Sequence, residues 1–532
     1  MPIVKKIGVQ NLRGLEQTGL IEIKPITLLV GKNSAGKSSF ARIFPLLKQS
    51  SEAKRNAPFL WWGQYVDYGS FSQALRRNAE EKEICFSFEV GLNSTGIQSR
   101  LRYSALNSLM TETINLIASV SVREDDGRSY ASKITFNLLD LKAEIHIDKV
   151  GNVQRIACGN AVWAPSITIG AIVSKGEYLP EILFTQVVEE QIDGTQQKYR
   201  RFADFSPLTR NLSNWIRGQI HGNTSPTKIA EIAQRIPLAS AERTLEILRG
   251  TRRAGSSSWQ TFVRQLTVNS PALKVCRELA FLDALPKIAL NANEAINSFA
   301  SSVKYLGPIR ATAQRFYRPQ ELSISEMDPR GENLAVLLND LQNRADFSAF
   351  NRWLKHSLGF EVLAAKEGAQ IELKIKFEDA QTDHDAINLA DVGFGLSQVL
   401  PIATQIWLVA NDRFRRSPAN QLQSCVVVEQ PELHLHPAFQ ARLADLFVNA
   451  VQVNKSSNQQ PISVIAETHS SSLINRVGEL VADKKIPASD VQILLFEQES
   501  PSQPAKITCA TFDDDGVLEN WPFGFFSAGA YE

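Results

Sequence analysis

The spacing of apolar residues along the chain alternates between two periods. Near the start, Ile21 and Ile23 are separated by polar neighbours, and Ile26 to Val30 is a continuous run that is apolar apart from Thr27. Alternation predicts a half-buried strand, and a short, almost wholly apolar run predicts a strand covered on both faces. Phe40, Ile43, Phe44 and Leu47 then recur at helical spacing. Residues 1–50 therefore read as strand, strand, loop, helix. Residues 83–157 predict a β meander: Ile84, Phe86, Phe88 and Val90 alternate, as do Ile134, Phe136 and Leu138. Asp125-Asp126-Gly127 and Val150-Gly151-Asn152 supply turns.

From about Ser225 to Ser302 the period is helical, with Arg252 to Ser258 as a loop between helices. No long heptad run and no internal repeat occurs, so no long coiled-coil arm is expected. After Tyr305 the α/β pattern returns, with Ile371, Leu373, Ile375 and Phe377 alternating. Cys425 to Val428 and Ile462 to Ile465 are short apolar runs suited to a parallel sheet. The expected fold class is α/β, a mixed sheet with flanking helices interrupted by a β meander and a helical insertion. The expected units are residues 1–90, a β-rich insertion over 91–165, a mainly helical insertion over 166–304, and a second α/β lobe over 305–532.

Composition narrows the partners. Of 532 residues, 57 are Lys or Arg and 56 are Asp or Glu, a formal net charge of +1. That balance argues against bulk coating of nucleic acid or of an anionic membrane, and leaves room for a local basic groove. Cys85, Cys158, Cys276, Cys425 and Cys509 lack metal-site spacing and fit a reducing cytoplasm. The longest apolar run, Val399 to Ala410, is short of the roughly 18 residues that a membrane span needs.

Four motifs carry chemistry. Gly31-Lys32-Asn33-Ser34-Ala35-Gly36-Lys37-Ser38, followed by Ser39, has the GxxxxGKS spacing between a predicted strand and a predicted helix. Its backbone N–H groups would wrap phosphates, Lys37 would reach the β and γ positions, and Ser38 would ligate Mg²⁺. Cys425 to Val428 ends in Glu429, the Walker B pattern in which the acid supports Mg²⁺; an ordinary strand end with a solvated acid fits the same residues. Val464-Ile465-Ala466-Glu467-Thr468-His469 is another strand ending in polar groups, and His469 could meet a γ-phosphate or the attacking water. Asp391 to Gln398 puts Gly393 and Gly395 ahead of an apolar helix, a second anion-binding geometry or a plain helix start.

In this order the motifs resemble ABC-type ATPase heads of the SMC-like and OLD-like families. The run Glu429-Gln430-Pro431-Glu432-Leu433-His434-Leu435-His436-Pro437 resembles PtuA-like and related bacterial AAA-type ATPases more closely. Asn11-Leu12-Arg13-Gly14, Tyr305 to Arg310 and the tail Trp521 to Phe526 add to that likeness, which spans roughly residues 1–90 and 300–532. The resemblance implies an ATP-binding head with Mg²⁺ and a head-to-tail homodimer or higher oligomer. Each ATP would lie between the P-loop of one copy and Gly395 and Ser397 of the other. It also implies that Arg13 contacts nucleotide and that Gln64 is a Q-loop residue near Mg²⁺; a surface glutamine fits Gln64 equally.

Two departures stand out. The stretch Gly393-Phe394-Gly395-Leu396-Ser397-Gln398 differs from the usual Leu-Ser-Gly-Gly. Gln430 stands where the general base is usually Glu, and an amide cannot accept a proton at neutral pH. Gln430 could still orient water, and Glu432 is a second candidate base. The expectation is slow hydrolysis and a long-lived ATP-bound dimer. The resemblance further implies an ATPase subunit of a bacterial anti-phage complex that acts on a separately encoded effector, a nuclease. Asp513-Asp514-Asp515 before Gly516 reads as a hairpin turn rather than a nuclease centre. The alternative is an SMC-like repair ATPase that clamps DNA directly through Lys198 to Phe202, Arg249 to Arg253 and Arg413 to Arg416; solvated basic loops fit these as well.

Overall fold

The apolar runs of the first and last thirds of the chain meet in one sheet. A computed structural model of the protein describes residues 3–92, 114–192, 195–250, 256–318, 326–342, 346–368, 370–377, 382, 385–411, 423–456, 461–500 and 503–522. The central sheet has seven strands, in the order Val303–Leu306, Ser424–Glu429, Ile462–Glu467, Ile26–Gly31, Val491–Glu497, Lys506–Phe512 and Leu518–Glu519. The first five are parallel, and the last two return as a hairpin. Asp513 to Gly516 form the turn of that hairpin, as the sequence suggests.

Strand alternation sends successive side chains to opposite faces, and both faces are buried. Leu29, Cys425, Val427, Ile465 and Phe496 enter one core. Leu28, Val30, Val426, Val428, Val464 and Leu495 enter the other. Fully burying a Val or Leu contributes about 1.5–3 kcal/mol, and the few polar residues within these runs, Thr27, Ser463 and Gln492, are buried too, so neither face is a solvent face.

The first core lies between the central sheet and a nine-stranded antiparallel sheet. In that sheet Ile84–Leu92 pairs with both Ile3–Leu12 and Ile114–Asp125. The meander is therefore continuous with the N-terminal strand, and the division at residue 90 falls inside Ile84–Leu92. The division at 304 likewise falls inside Val303–Leu306. Periodicity marks strands but not their partners, so it could not show these joins. The segment read as mainly helical also contains an antiparallel sheet of Ile169–Val173, Ile182–Ile192 and Thr195–Phe202.

The helix Pro271–Ser302 has 32 residues and Pro286 within it. At 1.5 Å per residue it spans about 48 Å. Phe281, Leu285, Ile288 and Phe299 bury it in the first core, so its length makes no free arm. It runs directly into Val303–Leu306, which returns the chain to the parallel sheet. Helices Leu334–Gln342, Phe347–Leu358, Phe394–Ala410, Pro437–Ser456 and Ser471–Ala482 cover the opposite face.

Candidate functional site

Three parallel strands end side by side in chemically active residues: Ile26–Gly31 in the phosphate loop, Ile462–Glu467 in Glu467, and Ser424–Glu429 in Glu429. The C-terminal edge of a parallel sheet is the general ligand edge of α/β folds. The strand bearing Glu467 lies between the other two, and Glu429 and Glu467 are register partners.

The phosphate loop closes through backbone conformations that favour glycine. Gly31 has φ +153° and Gly36 has φ +99°, and Ser34 also sits at φ 65°. A Cβ on Gly31 would stand 2.2 Å from the Phe496 carbonyl oxygen, so no larger residue fits there. Ala35 is buried under the loop, while Asn33 and Ser34 face outward. Gly36 precedes the helix Lys37–Ala41, which resumes after Arg42 as Ile43–Glu52. Lys37 is 3% exposed. Its ammonium donates to the carbonyls of Gly31 (3.0 Å) and Lys32 (2.8 Å). Burial lowers its pKa, against the pull of Glu467 and Glu432.

Ser38 and Arg42 lie one helical turn apart and meet the two strand ends. The Ser38 hydroxyl donates to Glu467 Oε1 at 2.9 Å. Arg42 grips Glu429 with two bonds of 2.8 Å, and the Tyr305 hydroxyl donates to the same carboxylate at 2.7 Å. Glu429, expected as the metal-supporting acid, is thus occupied, and Glu467 is the carboxylate beside Ser38. Glu467 went unassigned in the sequence because only the strand order brings it to the P-loop. Its signal was the matching end of two apolar runs, Val-Val-Val-Glu and Val-Ile-Ala-Glu. Desolvation, then repulsion from Glu429, raises the pKa of Glu467.

Beyond Glu429 the chain turns sharply. Gln430 has φ +45°, and its N–H donates to the Glu467 carbonyl at 2.8 Å. Glu432 is 8% exposed, and its Oε1 accepts the His469 backbone N–H at 2.6 Å. Burial raises the Glu432 pKa. The His469 ring is exposed at the rim; desolvation, then the charge of Lys37, holds the imidazole below its ordinary value.

Other expected members lie elsewhere or are engaged. Gln64 is exposed and bonds Glu52, at the far end of the P-loop helices. Fourteen residues separate Glu52 from Ser38, about 20 Å of helix, so Gln64 does not reach a metal held by Ser38. Arg13 has φ 52° and donates to the Tyr68 carbonyl at 3.1 Å, while the Tyr68 hydroxyl donates to the Ser39 carbonyl at 2.9 Å. This chain sets Arg13 two contacts from the P-loop. Ser397 is 4% exposed, and its hydroxyl donates to the Phe394 carbonyl at 2.7 Å. Gly393 and Phe394 are the exposed members of that turn. Gly395 packs on His434, whose carbonyl oxygen would be 2.7 Å from a Cβ there.

The residues present fit a magnesium nucleotide. Among the described residues, Glu467 Oε2, Glu432 Oε2, and Nε and Nη1 of Arg310 are buried without hydrogen-bond partners. Polar atoms left so in one place mark a site shaped for a polar ligand. No group of three or more His, Cys, Asp or Glu suited to a metal occurs among the described residues. Magnesium does not need one, since it is usually held by one or two carboxylates together with substrate phosphates. Ser38 and Glu467 would hold it here.

Of the candidate DNA contacts, Lys198 to Phe202 are exposed on the strand Thr195–Phe202. Lys198 pairs with Glu189 (2.6 Å), Arg201 with Asp204 (3.9 Å), and Arg249 donates to the Leu266 carbonyl (2.6 Å). Arg252, Arg253 and Arg413 to Arg416 lie outside the described residues, as does Phe523 to Phe526 of the tail. Among the described residues no helix is long and apolar enough to cross a membrane.

A glycine-shaped phosphate loop, its lysine and serine, and two carboxylates on neighbouring parallel strands define a P-loop nucleotide-binding protein of the ATPase class. The chain belongs to the family described as AAA ATPase domain, whose model matches residues 2–143 and 290–474. No curated protein matches it. Solved structures similar to it include the Smc head domain from Pyrococcus furiosus, with an extended coiled coil and bound to the C-terminal domain of ScpA. That structure is 12% identical with a TM-score of 0.35, covering 96% of this chain and 97% of that one. The Smc head from Pyrococcus yayanosii is 11% identical with a TM-score of 0.35, over 97% and 98% of the two chains. The SMC head from Thermotoga maritima is 10% identical with a TM-score of 0.30, over 95% and 98%. With scores of this size the fold stands on the strand order and the P-loop geometry.

Proposed function

We propose that the chain binds and hydrolyses Mg²⁺-ATP as an ATP-sandwich dimer, and that this dimer controls a separately encoded effector of the nuclease class in anti-phage defence. The observation that supports ATP hydrolysis is the convergence of Lys37, Ser38, Glu467, Glu432 and His469 on one edge of the parallel sheet. Mg²⁺, when bound, neutralises charge on the β and γ oxygens. Lys37 leaves its carbonyl partners for the phosphates. Water attacks the γ-phosphorus, Glu432 accepts its proton, and the bond to the bridging oxygen breaks as ADP leaves. Glu432 suits this role better than Gln430. It has an unpartnered oxygen, a fixed orientation from the His469 N–H, and a pKa raised by burial toward that of a useful base.

The dimer is supported by the rim. Ile309 is 80% exposed and Phe394 is 44% exposed, apolar groups on segments linked through Gln398 and the Arg310 carbonyl. The effector role rests on the motif resemblance alone. The test is phosphate release by wild type and Lys37→Ala, with mass by light scattering with and without ATP. Release that vanishes in Lys37→Ala and an ATP-dependent dimer are expected. No release above the Lys37→Ala background refutes hydrolysis, and a monomer at saturating ATP refutes the dimer. Single-turnover hydrolysis as fast in wild type as in Gln430→Glu removes the slow-turnover reading. Co-expression with the adjacent gene, followed by purification with and without ATP, tests the effector.

A further inference from the structure

Arg310 has no part in the phosphate or metal chemistry described above, yet it is 3% exposed at the centre of the site. It follows the strand Val303–Leu306 on a segment clamped by two backbone bonds, Gly307 N–H to the Pro329 carbonyl (2.9 Å) and Ala311 N–H to the Arg330 carbonyl (2.7 Å). Its Nη2 donates to the carbonyls of Glu429 (2.7 Å) and Gln430 (3.4 Å). These carbonyls flank the left-handed kink at Gln430, which a residue with a Cβ holds only when its surroundings impose it. The remaining guanidinium nitrogens, Nε and Nη1, are buried with no hydrogen-bond partner among the described residues. Glu432 Oε2 is in the same condition. Burial lowers the Arg310 pKa to about 10, and Glu432 is the charge that opposes this most strongly. The group stays cationic at neutral pH, and it feels the charge of Glu432 without bonding to it.

A strut could be built from any donor that reached two carbonyls. A buried guanidinium with two unbonded nitrogens is a costly way to do only that. We propose that Arg310 is the positioning residue for hydrolysis: its Nη2 holds the Glu429–Gln430 kink, and through that kink it sets where Glu432, two residues on, presents its unbonded oxygen to the water from which it takes a proton. This rests on the reading of the site as a hydrolytic ATPase. It assigns a role to the Tyr305–Arg310 segment, and it ties the helix Phe394–Ala410 to the chemistry, because Gln398 Nε2 reaches the Arg310 carbonyl at 3.5 Å.

The experiment uses the full chain and the variants Arg310→Lys, Glu432→Gln and the pair combined, each checked by thermal melting. Binding of a fluorescent ATP analogue with Mg²⁺ is read separately from kcat and KM. Arg310→Lys keeps a cation but loses the fork, so kcat should fall about 30-fold or more while the analogue Kd stays within about threefold. The double variant should be no slower than Glu432→Gln alone, since residues acting as a unit are non-additive. Arg310→Lys with kcat within about threefold of wild type overturns the proposal, as does a parallel loss of binding and kcat. Losses that multiply in the double variant overturn it too. Should Arg310→Lys not fold, a folded Glu432→Gln with unchanged kcat is refutation enough. A wild type that releases no phosphate above Lys37→Ala instead refutes the ATPase reading itself.

Discussion

Replacing Glu467 and Glu429 one at a time by glutamine separates two acids that the sequence alone makes equivalent. Glu429 is filled: Arg42 Nε and the Tyr305 hydroxyl meet Oε1, and Arg42 Nη2 meets Oε2. Glu467 offers one oxygen to the Ser38 hydroxyl and keeps the other free. A metal held by Ser38 therefore draws on Glu467. Hydrogen bonds to charged groups contribute about 1.5–3 kcal/mol, so Glu467→Gln should weaken apparent Mg²⁺ affinity by about 10- to 150-fold. Glu429→Gln should change that affinity little and cost stability instead. Glu429 is 2% exposed and the Arg42 side chain 39%, so solvent screens only part of the lost ion pair, and about 2–3 kcal/mol is expected. The assay titrates Mg²⁺ against each variant with a fixed amount of fluorescent ATP analogue, alongside urea unfolding. A Glu467→Gln shift below about threefold, or an equal shift in Glu429→Gln, refutes the assignment.

Three further outcomes follow from the geometry. Tyr305→Phe removes the 2.7 Å bond to Glu429 and should cost about 1–2 kcal/mol in urea unfolding, with nucleotide affinity unchanged. Gly395→Ala places a Cβ 2.7 Å from the His434 carbonyl oxygen and should destabilise by about 1–3 kcal/mol despite the better helix propensity of alanine; unchanged urea stability would contradict the packing. The Glu432 pKa is raised above 4.5, so the folded state keeps a proton that the unfolded state has lost. This contribution is full below 4.5 and is lost as pH rises through the folded value, so ligand-free wild type should lose stability relative to Glu432→Gln over that window; equal melting-temperature profiles of the two would exclude it.

The parts of the site legible in the sequence are those whose chemistry is local. The phosphate loop needs glycines at fixed offsets, a strand before it and a helix after it, and all of these lie between Ile26 and Glu52. Glu432 and His469 were visible as polar residues just past apolar runs, although their contact was not. Glu467 was hidden because its importance depends on which strand lies next to Ile26–Gly31, a pairing across more than four hundred residues of chain. Gln64 misled for the opposite reason. Its loop follows the P-loop helices closely in sequence, yet those helices carry it away from Ser38 and leave it beside Glu52.

The strand order then explains how the site differs from its motifs. Ile462–Glu467 separates Ser424–Glu429 from the P-loop strand, so the acid one strand away from Ser38 belongs to the third motif and the acid two strands away belongs to the second. Strands are about 4.8 Å apart and a helical turn rises about 5.4 Å, so residues four apart on the P-loop helix match acids on adjacent strands. Ser38 takes Glu467, and Arg42 takes Glu429. With Glu429 committed to Arg42 and Gln430 unable to accept a proton, the proposed reaction assigns the work of a base to the next acid, Glu432, across the kink that Arg310 holds. A glutamine after the strand is then compatible with turnover, because the sharp turn at φ +45° carries the chain past Gln430 and brings a carboxylate back against the His469 backbone.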